Sequence, residues 1–246
     1  PVWLTFCIAV LAAALGGYLL GLAAARLSGP YLAGTTLALA IGLPSIANQF
    51  PIFGGEQGLL YDIGAPPASL GADFTQYKWY FWIAALAALI AIYWLRNVMN
   101  SRYGRSWKAV RGNDVAAELA GIKVGRNKVL AFTVSAGLAG LAGALLAMTI
   151  STVSPGAFPL ALSFSLATGA VLSGVTTLGG VMIGAVTLVA IPEIVDTVVH
   201  RFESSESVAN NLPGLLVSTL LILTVLFVPN GPVEQMRARH EKRAKR

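Results

Sequence analysis

The chain has 246 residues, of which 56% are hydrophobic and 11% are charged, and its mean hydropathy is +0.71. Soluble domains carry about 25% charged residues, so this composition excludes a soluble globular protein and indicates a polytopic membrane protein. The net charge of +6 does not indicate a nucleic-acid partner. The basic residues cluster at the ends of apolar runs, where membrane topology and anionic membrane lipid account for them.

Apolar runs in the first part of the chain predict four membrane spans, since a helix needs about 20 apolar residues to cross the hydrocarbon core. In chain order they are residues 2–27, 31–50, 79–95 and 129–150. The first run begins at Pro1, without Met, and is too long for the core of a signal peptide. We interpret it as a true span of a chain that lacks its N-terminal part. Pro44 predicts an interruption in the second run.

The distribution of charge predicts which loops face the cytoplasm. Residues 96–128 hold eight of the seventeen Lys and Arg residues, and the tail 229–246 holds six more. Because Lys and Arg near span ends prefer the cytoplasmic side, both segments are predicted to be cytoplasmic. Residues 51–77 contain three acids and no Lys or Arg, so that segment is predicted to be external.

The remaining apolar stretch, 162–191, has to begin and end outside, because the last predicted span, 212–228, runs inward from the acidic external segment 192–211. A polar and glycine-rich break at 176–180 divides it into arms that are short for full spans. We therefore expect a re-entrant broken hairpin or two short tilted helices. Candidate pathway or external-loop residues are Asn48, Gln49, Gly54, Gly55, Gly58, Thr176, Thr177, Gly179 and Gly180.

The cytoplasmic segment 96–128 is patterned beyond what a linker needs. Gly112 is expected to end one helix, and either Asn113 or Asp114 to cap a second helix over 115–120 that ends at Gly121. Two helical turns are not stable alone, so this helix needs a packing partner. The residues that offer it a flat face are Ala116, Ala117 and Ala120. The charged residues expected to set its register are Glu118, Arg105, Lys108 and Arg111.

Residues 101–147, SRYGRSWKAVRGNDVAAELAGIKVGRNKVLAFTVSAGLAGLAGALLA, closely resemble the cytoplasmic loop of branched-chain amino-acid ABC-importer permeases, of the second-permease type. GGEQGL at 54–59 and LSGVTTLGGVMIGAV at 172–186 resemble two further motifs of that family, although Phe53, Ser173, Val175 and Thr176 depart from them. The resemblance implies an all-α polytopic transmembrane bundle, with 1–246 as one permease domain and a short cytoplasmic coupling helix in 96–128.

The same resemblance implies partners and roles. The partners are a second homologous permease, two ATPase subunits that hold ATP and Mg, and an extracytoplasmic solute-binding protein, in a bacterial plasma membrane. No cofactor is expected on this chain, since nothing in it resembles a phosphate-binding loop. The residues implied to couple to the ATPases are Gly104, Arg105, Lys108, Arg111, Asp114, Ala116, Ala117, Glu118 and Gly121.

No catalytic set or metal cluster is evident in the sequence, which predicts a transporter subunit and not an enzyme. Ionisable residues of the predicted spans lie at the span ends, as Arg26, Lys78 and Arg96 do. A pathway without charge suits a neutral or zwitterionic solute with an apolar side chain. Three alternatives stay open: a permease for urea, amides or another small neutral solute, a passive channel, and an intramembrane enzyme.

Overall fold

The computed structural model describes residues 2–27, 30–60, 75–150, 152–173 and 179–190, the last range without 183 and 187, together with residue 219. Several predictions lie outside them: the last span 212–228 apart from residue 219, the external segment 192–211, the basic tail 229–246 and the two threonines Thr176 and Thr177.

The described chain is almost entirely helical, which confirms the all-α polytopic prediction. Its helices are α1 (Val2–Ala24), α2 (Pro30–Gln49), α3 (Gln76–Asn100), α4 (Arg102–Gly112), α5 (Asp114–Leu119), α6 (Val124–Ile150), α7 (Leu160–Ser173) and α8 (Gly179–Ala190). Within the described residues, α1, α2, α3 and α6 are long and apolar enough to cross a membrane. The sequence did not predict the two-stranded ribbon, in which β1 (Leu59–Leu60) pairs antiparallel with β2 (Thr152–Val153).

Among the helices that the structure describes, α1 and α6 have the most extensive contact, and glycines make it possible. A Cβ atom added at Gly17 would lie 2.2 Å from the Cβ of Ala136, and one added at Gly140 would lie 2.6 Å from the carbonyl oxygen of Ala9. The early part of α1 therefore meets the late part of α6, so the two helices are antiparallel. Small residues at such contacts let helix backbones approach closely, which drives association in lipid.

The structure places the connections alternately at two ends of the bundle. A buried cluster of Phe6, Tyr80, Ile83 and Met148 joins the starts of α1 and α3 to the end of α6. The ribbon adds the end of α2 to the same side, which we call the ribbon end. Helices α4 and α5 follow the 25-residue α3 and lie at the opposite side, which we call the loop end. This alternation agrees with the predicted order of spans, while the assignment of cytoplasmic and external faces stays a prediction.

One local expectation was wrong. Helix α2 continues through Pro44 instead of breaking there, as membrane helices often do when neighbouring groups satisfy the freed carbonyl. The helices that flank the segment 96–128 extend into it from both sides. Helix α3 extends to Asn100 and α6 begins at Val124, because polar residues at span ends continue the helix beyond the hydrocarbon core.

Residues Pro159–Arg246 form a compact unit separate from Pro1–Phe158. Within it, α7 and α8 pack against each other: Gly169 is buried, and a Cβ atom added there would lie 2.2 Å from Leu188. The 14 residues of α7 reach about 21 Å at about 1.5 Å per residue, short of the roughly 30 Å hydrocarbon core. The close contact of the two arms agrees with either alternative, a re-entrant hairpin or two short tilted helices. Their placement in the membrane, and the description of 1–246 as one domain, stay predictions.

Candidate partner-docking site at the loop end

The corner between α3 and α4 is fixed by a capping serine and a buried glycine. The Oγ atom of Ser101 accepts a hydrogen bond from the backbone N–H of Tyr103 at 3.2 Å and donates one to the carbonyl oxygen of Val98 at 2.6 Å. Gly104 is buried against the backbone of α3, and a Cβ atom there would lie 2.1 Å from the carbonyl oxygen of Met99. Only glycine fits this close approach of the two backbones. The structure therefore explains why a glycine occupies position 104, which the sequence placed among the coupling residues.

Two side-chain contacts fasten α4 and α5 to the first turns of α6. The indole Nε1 of Trp107 donates a hydrogen bond to the carbonyl oxygen of Asn127 at 3.1 Å. The Nζ of Lys128 lies 2.5 Å from the Oδ2 of Asp114, in an ion pair whose side chains are 28% and 48% exposed. Sequence reasoning missed both Trp107 and Lys128 as site residues. A tryptophan in an otherwise polar loop was the available signal for the first.

The start of α5 settles which residue caps it. The Oδ1 of Asn113 accepts a hydrogen bond from the backbone N–H of Ala116 at 3.0 Å, so Asn113 is the N-cap. Asp114, the other candidate, is the first residue of the helix. Its carboxylate lies at the positive end of the helix dipole and pairs with Lys128.

The end of α5 is a Schellman motif around a left-handed glycine. Gly121 has a φ of +81°. The backbone N–H of Ile122 donates to the carbonyl oxygen of Ala117 at 3.0 Å, and that of Gly121 donates to Glu118 at 2.9 Å. A side chain at position 121 would strain this backbone, because left-handed conformations are disfavoured for other residues. The predicted terminating role of Gly121 is confirmed.

The alanine face expected on α5 is only partly exposed. Ala116 and Ala120 are exposed, while Ala117 is 4% exposed and faces the rest of the chain. Val115 and Leu119 are 67% and 86% exposed. They are four residues apart and therefore lie one above the other on the same side of the helix. We call this pair the α5 ridge.

The ridge is accompanied by exposed charges on both helices. Arg105, Lys108 and Arg111 are exposed on α4, and Glu118 is exposed on α5. Arg105 donates a hydrogen bond from its Nη1 to the carbonyl oxygen of Asn100 at 3.2 Å, which tethers it to the end of α3. The loop end thus presents an apolar ridge together with a predominantly basic surface, an arrangement suited to binding another protein.

The candidate pathway residues that the structure describes lie apart from this site. Asn48 and Gln49 are exposed in the last turn of α2. Gly54, Gly55 and Gly58 adopt positive φ in the two turns before β1. A cavity of about 540 Å³ lies beside these turns at the ribbon end. Its lining residues are Leu43, Pro44, Ile46, Ala47, Phe50, Leu59, Val153, Ser154, Pro155 and Phe158.

The last two pathway candidates, Gly179 and Gly180, begin α8 in the second unit. Among the residues that the structure describes, no three His, Cys, Asp or Glu side chains lie close enough together to hold a metal ion.

Residues 1–226 match the family described as "Branched-chain amino acid transport system / permease component". The chain belongs to this family. It is 27% identical to the high-affinity branched-chain amino acid transport system permease protein LivM of Escherichia coli K12, over 96% of this chain and 58% of that protein. It is also 27% identical to the corresponding LivH protein of Salmonella typhimurium, over 78% of this chain and 54% of that protein.

A third relative is named for a different solute. The autoinducer 2 import system permease protein LsrC of Klebsiella pneumoniae is 32% identical over 65% of this chain and 44% of that protein. The chain thus spans less than two thirds of the length of these relatives. No solved structure matches it. Family membership and the four apolar helices together make it a multi-pass membrane permease component.

Proposed function

We propose that the chain is a transmembrane subunit of a binding-protein-dependent ABC importer for branched-chain or other apolar amino acids, in the bacterial inner membrane. The observation that carries this proposal is the arrangement of the loop end in this member of the family. There, the short helix α5 exposes an apolar ridge, and two contacts fasten α4 and α5 to the membrane helix α6. Similarity to both LivM and LivH relatives supports assembly with a second homologous permease.

The ATPase subunits, which hold ATP and Mg, dock on the α5 ridge. Val115 and Leu119 enter an apolar groove of the ATPase, and Lys108 and Arg111 set the register against acidic groups at its rim. Burial of a large apolar side chain contributes about 1.5–3 kcal/mol, so the ridge supplies much of the attraction. The charges contribute to the orientation of the two proteins more than to their affinity.

Motion of the ATPases reaches the membrane through the contacts already described. A displacement of α5 is passed to α6 by the Asp114–Lys128 ion pair and by the hydrogen bond of Trp107 to Asn127. Helix α6 carries α1 with it, because their backbones interlock at the glycine contacts. Rigid-body rocking of these helices then opens the pathway alternately to each side.

In this proposal the loop end and the tail 229–246 are cytoplasmic, and the solute-binding protein docks on the external segments 51–77 and 192–211. The excess of Lys and Arg in 96–128 supports that orientation.

For the solute, the apolar lining of the 540 Å³ cavity at the ribbon end supports an apolar side chain. The similarity to the LsrC relative favours a second candidate, import of another small neutral solute. Uptake assays with labelled leucine, urea and autoinducer 2 in the reconstituted importer distinguish the two.

The docking proposal is tested with two leucines of equal exposure at opposite ends. Leu119 is 86% exposed at the loop end, and Leu60 is 87% exposed at the ribbon end. Leu119→Asp is expected to reduce co-purification of the ATPase subunits with the permease at least tenfold, since it replaces an apolar contact with a desolvated charge. Leu60→Asp, the matched control, is expected to leave co-purification unchanged.

Equal ATPase recovery with both variants would contradict docking on the α5 ridge. Solute flux that persists without any ATPase subunit would favour the passive channel. Chemical conversion of the solute during uptake would favour the intramembrane enzyme.

A further inference from the structure

Two cavities flank the first turns of α6 at the loop end, and neither belongs to the α5 ridge. One, of about 720 Å³, lies between α1 and α6. The other, of about 440 Å³, lies between α4 and α6. Both are lined by Arg126 and Leu130, so they adjoin each other.

The larger cavity is a groove with small residues at one level and large apolar residues beyond it. Ala25 and Gly125 approach each other there, with 3.8 Å between the Ala25 Cβ and a Cβ atom built on Gly125. Tyr18, Leu22 and Leu130 also line it, further along α1 and α6. The groove thus continues from the end of the bundle along an apolar surface.

Cations surround the junction of the two cavities. Arg26 and Arg126 line the larger one, and Arg102, Lys123 and Arg126 line the smaller one. No acidic side chain is among the described residues that line either cavity. The first N–H groups of α6 have no acceptors within the helix and add positive potential at the same place. The site therefore suits an anion.

The depth of the site matches that of lipid headgroups. Helix α6 has 27 residues and is about 40 Å long, whereas the hydrocarbon core is about 30 Å thick. The first turn of α6 therefore lies at headgroup level, and Leu130 lies one to two turns deeper. The cations are at the polar border and the apolar walls extend toward the acyl chains.

We propose that this groove binds an anionic phospholipid of the leaflet on the loop-end side. The phosphodiester lies between Arg26 and Arg126, within reach of Lys123, and one acyl chain follows the wall formed by Leu22 and Leu130. A soluble phosphate shares the headgroup chemistry but makes no use of the apolar walls. Simple attraction between a basic span end and the membrane surface would not depend on which cations are removed.

The experiment measures lipid retention by native mass spectrometry on the full-length protein in its assembly, with phosphatidylglycerol and phosphatidylcholine of identical acyl chains. The double variant Arg26→Gln with Arg126→Gln is compared with Arg96→Gln. Arg96 is exposed in the last turns of α3, at the same end, and does not line the groove. Replacing both arginines by Lys retains the charges and serves as a rescue.

The wild type and the lysine variant are expected to retain phosphatidylglycerol in preference to phosphatidylcholine. The Gln double variant is expected to bind it about 30-fold more weakly, because two cations near an anionic headgroup contribute about 1 kcal/mol each. Arg96→Gln is expected to bind like the wild type. Gly125→Leu, which fills the groove and keeps the charges, is expected to weaken binding about tenfold.

Several results would overturn the proposal. Equal retention of the two lipids, or a loss of lipid binding with Arg96→Gln as large as with the Gln double variant, would indicate diffuse attraction to the membrane surface and no specific site. Displacement of the lipid by millimolar inorganic phosphate would assign the cations to a soluble anion. Unchanged lipid binding to a correctly folded Gly125→Leu variant would show that the acyl chain does not lie in this groove.

Discussion

Replacement of Gly104 by alanine tests whether the α3–α4 corner sets the position of α5. The added methyl carbon would lie 2.1 Å from the carbonyl oxygen and 2.5 Å from the carbonyl carbon of Met99. Those atoms are backbone, so α4 has to tilt away from α3. Overpacking costs about 1–3 kcal/mol, and a clash with backbone atoms lies in the upper part of that range, at about 2–3 kcal/mol. Alanine regains about 1 kcal/mol of helix propensity, which leaves a net local cost of about 1–2 kcal/mol.

The matched control is Gly112→Ala at the other end of the same helix. Nothing lies within 4 Å of a Cβ atom at Gly112, and its φ is not positive. The substitution is therefore expected to be neutral or slightly stabilising. The two variants differ in contact geometry and not in chemistry, so a difference between them isolates the close approach at the corner.

Amide hydrogen exchange across α4 and α5 in the purified protein measures the effect directly. A cost of about 1–2 kcal/mol raises the population of locally opened molecules about 5–30-fold, and exchange should accelerate by that factor for Gly104→Ala alone. In the reconstituted importer the same variant is expected to hydrolyse more ATP per solute carried. Identical exchange in the two variants would refute the assignment of Gly104 as the fixed point of the corner.

Three further predictions concern other contacts. Gly17→Ala places a methyl group 2.2 Å from the Cβ of Ala136, whereas the methyl group of Gly16→Ala meets nothing within 4 Å. Only Gly17→Ala should lower the thermal unfolding temperature in detergent, by the equivalent of about 1–3 kcal/mol. Equal unfolding temperatures for the two variants would contradict the α1–α6 packing. Gly121→Val should strain the end of α5 by about 1–2 kcal/mol and uncouple ATP hydrolysis from uptake, while Gly121→Asn retains coupling; unchanged transport by the valine variant would count against it. A double-mutant cycle with Asp114→Asn and Lys128→Gln, measured by chemical unfolding, should give a coupling free energy of about 0.2–1 kcal/mol, as for other partly exposed ion pairs. A coupling free energy of zero would mean that this ion pair does not hold α5 against α6.

The sequence was sufficient for features whose signal is local. Long apolar runs located α1, α2, α3 and α6, because the bilayer requires a minimum length of apolar helix. Gly112, the adjacent pair Asn113 and Asp114, and Gly121 located the ends of α4 and α5, because capping chemistry depends on a few adjacent residues. The boundaries were less accurate, since polar residues at span ends continue a helix without any apolar signal.

Features that join distant parts of the chain had no such signal. The ribbon pairs Leu59 with Val153 through strands of two residues, which are too short to show an alternating pattern. Trp107 stands out in the sequence, but its acceptor is the backbone carbonyl of Asn127, which any residue at that position would supply. Such contacts follow from how the helices pack, and a single sequence does not encode that packing in any one segment.

The exposed face of α5 shows the same limit within a single helix. Six residues complete fewer than two turns, so periodicity does not determine which side is buried. The small side chains suggested a flat docking face that included Ala117. Packing against the rest of the chain instead takes Ala117 inside and leaves Val115 and Leu119 outside. The larger side chains are the ones available to a partner, which makes the exposed surface more apolar than the alanines alone would be.

The contacts also indicate which helices move together in the proposed transport cycle. Helices α1 and α6 interlock through backbone contacts at Gly17 and Gly140, so they cannot slide past each other without losing packing along their whole length. The described side chains of α2, in contrast, are all at least partly exposed, and β1, just beyond α2, pairs with β2, just beyond α6. A displacement that enters at α5 therefore moves α6 and α1 as one body and reaches α2 through the ribbon. Because Gly54 and Gly58 adopt positive φ just before that ribbon, the motion is expected to bend the chain at these glycines while the helices stay rigid.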